Sequence, residues 1–399
     1  MSLAFVRYAP EIETIDPDLD RLLEQIVAYW ETLVRESPVV EGSGRAVRGV
    51  HSKTYGVVKA EVQILRNVPH AYAQGIYAQP GRHGALIRYS SASNHLGADA
   101  TLGGVLGCAL KIFDVPGSKL VEDEPHSTTF DLVLKNNPIF VANTAKHYLV
   151  FQEIGNTKNQ YLARGKTGFH ELLTDFVTGK GTFEKSDWAW DELFAFVKLG
   201  QTAARNPLLT TFWSMGAVRH GDYVAKIRLA PATENTARAI HRELDLRDRP
   251  DVFYPTLVDE LQASAFDFDL QVQLCTDLEA MPVNETTVEW PEKLSPYVTV
   301  ARVHVPRQDI SGTDNSDKTD ALAFNQWRVT EEHRPLGEIM QVRRIYSASA
   351  KVRRTLNHQP QTEPASADEV LPHPPTPEHA ATDGAMPSPG VRAPALTSV

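Results

Sequence analysis

The chain has 399 residues, 42% of them hydrophobic, and a formal net charge of −10. That apolar content suffices for one large core or two modest ones, and the acidic balance argues against nucleic acid or an anionic membrane as the main partner. Cys108 and Cys275 form neither a disulfide framework nor a zinc spacing and are read as small buried hydrophobes. The N-terminal stretch turns acidic early and has no continuous apolar run of the secretory type. No run reaches the roughly 18 apolar residues that a membrane span needs. The expectation is a cytoplasmic protein with no stable membrane insertion.

Asp16-Pro17 can open a helix, since Asp caps a helix start and Pro suits the first turn. Leu19, Leu22, Leu23, Ile26, Val27, Trp30, Leu33 and Val34 follow at helical spacing, and Ser37-Pro38 is expected to end the element. Residues 1–40 are therefore read as an arm and helix that pack.

From about Ser52 to Leu134 the pattern is β, with strands expected near 57–65, 85–89, 107–113 and 129–134, separated by Gly, Pro, Asn and Asp clusters. Helices are expected near 146–154, 188–200 and 234–244, and a loop over 178–186. Further strands are expected near 224–229, 266–274 and 298–305. The alternation in Phe266–Leu274 is that of a strand with one face in a core. A turn-rich loop, SGTDNSDKTD, precedes a basic helix carrying Tyr346. From residue 357 to 399 the composition shifts to Pro, Ala, Ser, Thr and His without aliphatic periodicity and reads as a disordered tail, with His373 and His379 solvated.

The stretch around which the chain is organised runs from Arg45 to Gln63. Arg48, Val50, His51, Lys53 and Gly56 lead into the alternating run 57–62. A histidine just ahead of a strand is held on a rigid element, which places a reacting group well. This segment resembles the distal-histidine segment of the haem catalases, and three further resemblances follow in that family's order. ALIRYSSAS carries Arg88 and Ser90 on the motif positions. GVLGCALKIFDVPGSKL resembles the next strand and its glycine turn. FDLVLKNNPIFVAN resembles the segment bearing the distal asparagine. Counting back from Pro138, the family's first asparagine falls on Lys135, its second on Asn136 and its threonine on Asn137; shorter members also place an asparagine on Asn136.

The resemblance covers about residues 40 to 355. It implies an α+β fold built on a closed antiparallel β-barrel with helices packed outside, over 41–356, holding one haem b and its iron. Heterolysis of a peroxide O–O bond needs a base that moves a proton between the two oxygens, and a neutral imidazole suits this near pH 7. The resemblance assigns that role to His51, an orienting amide to Asn136, and control of the imidazole tautomer to Ser90. It assigns the haem carboxylates to Arg48 and Arg88, the distal cavity wall to Val50 and Phe140, and the iron ligand to Tyr346. A phenol must be held as phenolate to ligate iron, which a guanidinium one helical turn away favours. Family members carry that arginine four residues before the tyrosine. Here Val342 stands there and Arg343 stands three before, still on one helix face.

The implied activity is decomposition of hydrogen peroxide or an organic hydroperoxide, by catalase or peroxidase turnover, with subunit contacts through the N-terminal arm implying a homo-oligomer. The coral allene oxide synthases share the fold but carry threonine directly before the distal histidine, where this chain has Val50. Conversion of a lipid hydroperoxide and haem binding without turnover stay open as alternatives. The chain resembles the short catalase-related proteins, to which MPVNETTVEWPE and EHRPLGEI also point.

Overall fold

The computed structural model describes residues 4–246, 249–314, 316–359 and 363–371. Its strands are β1 (Thr54–Ile64), β2 (Gly81–Ser91), β3 (Leu106–Ile112), β4 (Phe130–Lys135), β5 (Phe212–Trp213), β6 (Val218–His220), β7 (Tyr223–Pro231), β8 (Phe266–Leu274) and β9 (Val298–Val305). They form one antiparallel sheet in the order β5-β4-β3-β2-β1-β9-β8-β7-β6, and an additional β5–β7 pairing closes it into an eight-stranded barrel with β6 attached outside the ring. Closure removes the sheet's open edges. Its seam is thin, because β5 joins β4 only through Lys135 and Trp213.

Residues of alternate parity along the strands fill the barrel. Ile87, Tyr89, Cys108, Leu110, Leu132 and Leu134 belong to one buried apolar cluster with Val58, Leu270 and Val303. The opposite parity is also buried on β2, β3 and β4, because other elements cover the outside of this wall. The longer helices are α1 (Leu19–Val40), α2 (Ala145–Leu162), α3 (Gly165–Thr178), α4 (Trp190–Gly200), α5 (Phe253–Ala263) and α6 (Tyr346–Leu356). Among the described residues no helix is long and apolar enough to cross a membrane.

Three expectations need correction. The first helix does not stop at Ser37-Pro38 but runs on to Val40 with Pro38 inside it. Proline cannot donate to the carbonyl four residues back; the Ser37 hydroxyl donates to the Val34 carbonyl instead, at 2.8 Å. The amphipathic stretch 234–244 is helical only over Asn235–Arg238. Beyond it, the amides of Ile240 and His241 donate to the buried Glu260 carboxylate at 2.9 and 2.7 Å, so they are lost to a helical ladder. The expected disordered tail begins too early. Glu363 pairs with Lys111 and Arg328 on the barrel wall, and Val370, in a short helix over Ala367–Val370, packs with Val57, Leu86 and Phe113. The rest of that tail, from residue 372 with both of its histidines, lies outside the described residues.

Candidate functional site

The outer face of β2–β4 carries two lateral rows. Ser90 pairs with Gly107 and Gly107 with Lys135; one step along, Arg88 pairs with Ala109 and Ala109 with Val133. Paired residues project to the same side, so the small side chains of β3 leave a shallow trough between larger neighbours. The 322–328 segment and the turn leading into α6 roof it. The result is a cleft partly open to solvent, lined by Arg48, Val50, His51, Arg88, Ser90, Arg343 and Tyr346 among others. Seven of the nine residues expected to form the site are thereby brought together; Asn136 and Phe140 are not among the lining residues.

His51 has a φ of +55°, which non-glycine residues seldom adopt. The loop carrying it is held on every side. Ser52 Oγ donates to the Arg48 carbonyl at 2.5 Å, Arg88 Nη2 donates to the His51 carbonyl at 2.8 Å, and Lys53 Nζ reaches Asp99 at 2.6 Å. Trp30 of α1 packs so closely on Gly49 that a Cβ there would stand 2.5 Å from the indole. Gly107 has the same role beneath the imidazole: a Cβ on it would overlap the His51 ring and come within 2.9 Å of Ser90 Oγ.

The imidazole Nδ1 lies 2.7 Å from the Ser91 carbonyl and 3.1 Å from Ser90 Oγ. A carbonyl only accepts, so Nδ1 carries the hydrogen and Nε2 keeps its lone pair. Ser90 is within reach as expected, but the shorter contact comes from the backbone of Ser91, which side-chain motifs do not reveal. Burial, and then the positive charge of Arg88, push the His51 pKa down to about 3. At neutral pH the ring is an uncharged base.

Asn136 is tied to the backbone at both ends of its amide. Its Oδ1 accepts from the Leu106 amide and its Nδ2 donates to the Gly104 carbonyl, both at 2.8 Å, so the side chain splices the end of β4 to the turn before β3. Phe140 stacks on Tyr148 with ring centroids 6.0 Å apart, within the cluster that also holds Trp30, Val50 and Tyr346.

On the α6 side, Tyr346 Oη lies 3.1 Å from Tyr148 Oη, and the Tyr346 ring meets Trp30 edge-on at 6.0 Å. The Arg343 guanidinium carbon is 5.9 Å from the Tyr346 ring centroid, and its Nη1 donates to Gln326 at 3.2 Å. Two further groups went unread in the sequence. Arg353 lies two turns beyond Tyr346 on the same helix face, a spacing that was available as a signal. Asp320 is the centre of a charge knot, accepting from Arg45 at 2.6 Å, Arg48 at 2.9 Å and Arg353 at 2.8 Å. Neighbouring cations exceed what this one carboxylate balances. Burial first and then the adjacent guanidiniums hold Arg48 well below the usual arginine range, while burial is the leading cause that lowers Arg88 to about 10. The buried Nε atoms of Arg343 and Arg353 have no hydrogen-bond partner among the described residues.

Solved structures with this fold include catalases. Catalase A from Saccharomyces cerevisiae aligns with a TM-score of 0.58 at 12% identity, over 89% of this chain and 76% of that one. A bacterial catalase gives 0.53 at 13% identity over 91% and 67%, and a fungal catalase 0.50 at 12% over 88% and 73%. At such identities the likeness concerns the fold. No protein-family model matches the sequence, and no curated protein does.

Proposed function

We propose that the cleft binds haem b and that the protein decomposes peroxides there, as a catalase or a peroxidase. The observation that carries this reading is that His51 and Tyr346, from opposite ends of the chain, line one cleft together with Arg48, Arg88 and Arg343. The residues fit such a group. The trough over Ala109, beside the His51 ring, suits a flat ring, the surplus guanidiniums call for carboxylates, and a phenol beside an arginine is the donor set of a phenolate iron ligand.

When bound, the haem supplies a redox iron that draws oxidising equivalents from peroxide and passes them to a second peroxide or an organic donor. The protein's own part is positioning and proton handling. His51 Nε2 takes the proton from one peroxide oxygen and returns it to the departing one, with Ser91 and Ser90 fixing Nδ1 as the protonated nitrogen. Arg343 stands beside Tyr346, its guanidinium carbon 5.9 Å from the ring centroid. Arg48, Arg88 and Arg353 are the partners for the haem carboxylates, which would relieve their mutual repulsion.

The test is the optical spectrum of the haem-supplemented protein beside its Tyr346→Phe variant, with oxygen release from hydrogen peroxide recorded on both. A high-spin ferric phenolate-type spectrum that the variant loses, together with oxygen evolution, is the expected result. That spectrum without oxygen moves the reading to a donor-dependent peroxidase or a hydroperoxide-converting enzyme. Absence of haem uptake overturns it.

A further inference from the structure

Resting on that reading, we infer that Lys135 is the second polar group on the His51 side of the cleft and binds the anionic oxygen that peroxide presents once His51 has taken its proton. Lys135 ends β4 at the margin of the cleft, which Val133 and Leu134 line and Lys135 itself does not. In the ladder it is paired with Gly107, the residue on which the His51 ring rests, and Gly107 is paired on its other side with Ser90. Ser90 and Lys135 therefore flank the imidazole from the two neighbouring strands.

The lysine is only 6% exposed, yet among the described residues its ammonium has neither a hydrogen bond nor an ion pair. Its one ring contact is Phe140, with Nζ 5.0 Å from the centroid. A buried ammonium without a counter-ion is costly unless something anionic completes the site. The asparagine expected to orient peroxide is bonded to backbone through both its oxygen and one amide hydrogen and is not among the residues that line the cleft.

The proposed step moves one proton. The peroxide O–H bond breaks, the proton goes to His51 Nε2, and the resulting monoanion lies against the Lys135 ammonium. The same positive charge disfavours the protonated imidazole, so the proton is passed on rather than kept. Of the elements packed on Lys135, the charged or titratable groups are His51, neutral across the working range, and Arg343, charged throughout; Gly107, Trp213 and Phe140 carry no charge. Burial, aided by Arg343, lowers the Lys135 pKa to about 7, so its charge is present below that pH and lost above it.

The test is azide binding to the haem-loaded full chain, followed by the shift of the Soret band, from about pH 6 to about pH 8. The wild type is expected to bind azide more weakly as pH rises through about 7. Lys135→Met should bind about tenfold more weakly at the acid end and without the inflection, and Lys135→Arg should restore affinity at both ends. Should Lys135→Met fail to take up haem, Lys135→Arg decides alone: an inflection that disappears supports the assignment, and one that persists overturns it. Equal azide affinity in wild type and Lys135→Met, with normal haem spectra, overturns the role of Lys135 and leaves the haem reading intact. A wild type that takes up no haem overturns both.

Discussion

A base that must accept a proton has to enter the reaction uncharged and with its lone pair on the substrate side. If His51 is that base, burial secures the first condition and the Ser91 carbonyl, by holding the hydrogen on Nδ1, the second. The glycine beneath the ring allows a direct test. In Gly107→Ala the new methyl group overlaps the imidazole and must displace it. A displacement of about 1 Å can cost on the order of 100-fold in rate, so peroxide turnover is expected to fall by about that factor while haem uptake, read from the Soret band, stays near wild type. Turnover within twofold of wild type would mean that the imidazole is not the base. The pKa of about 3 also has a sign. His51 is neutral from neutral pH down to well below pH 5, so an acid limb in kcat above about pH 5 must arise elsewhere, and retention of such a limb in Ser90→Ala would bear this out.

At the scale of elements, α1 proves to be more than padding, since its Trp30 packs on both the His51 loop and Tyr346. The helix can extend past its proline because Ser37 serves two backbone groups, donating to the Val34 carbonyl and accepting from the Val47 amide at 2.9 Å. Ser37→Ala strands both, and a buried polar group left unpaired costs about 1–3 kcal/mol. The expected result is lower stability in urea unfolding with an unchanged m value, and a stability equal to wild type would remove Ser37 from this role. The same contrast shows what was legible beforehand. Long strands with clean alternation, such as β8, and the motif from Arg48 to Gly56 could be read because their signal is local. β5 and β6 have two and three residues, too few for a period to appear. Asp320 and the Ser91 carbonyl could not be read as site groups, because only the closing of the chain brings them to Arg48 and His51. Asn136 was assigned from its motif position, but the direction of its amide is set by the Gly104–Leu106 turn.

For the whole molecule, the barrel buries histidines as neutral rings and thereby links folding to pH. Besides His51, burial lowers His220 to about 4 and His333 well below its ordinary value. These two stand together, with ring centroids 5.6 Å apart and Tyr77 packed against both. His220 Nε2 donates to the Tyr72 carbonyl at 2.9 Å, and His333 Nε2 accepts from the Ile76 amide at 3.0 Å. Above the unfolded-state pKa of about 6.5 all three rings are neutral in both states and contribute no pH dependence. As pH falls below that value, the unfolded chain takes up protons that the native state refuses, and stability declines until the native pKa values are reached. Each ring then contributes a slope of about 1.4 kcal/mol per pH unit. Urea unfolding of the haem-free protein is therefore expected to show stability falling steeply between about pH 6.5 and about pH 4, the latter set by His220. His220→Asn, although less stable at every pH, should show a shallower decline by roughly one proton's worth. An unaltered slope in that variant would mean that His220 titrates alike in both states and that the histidine pair does not couple folding to pH.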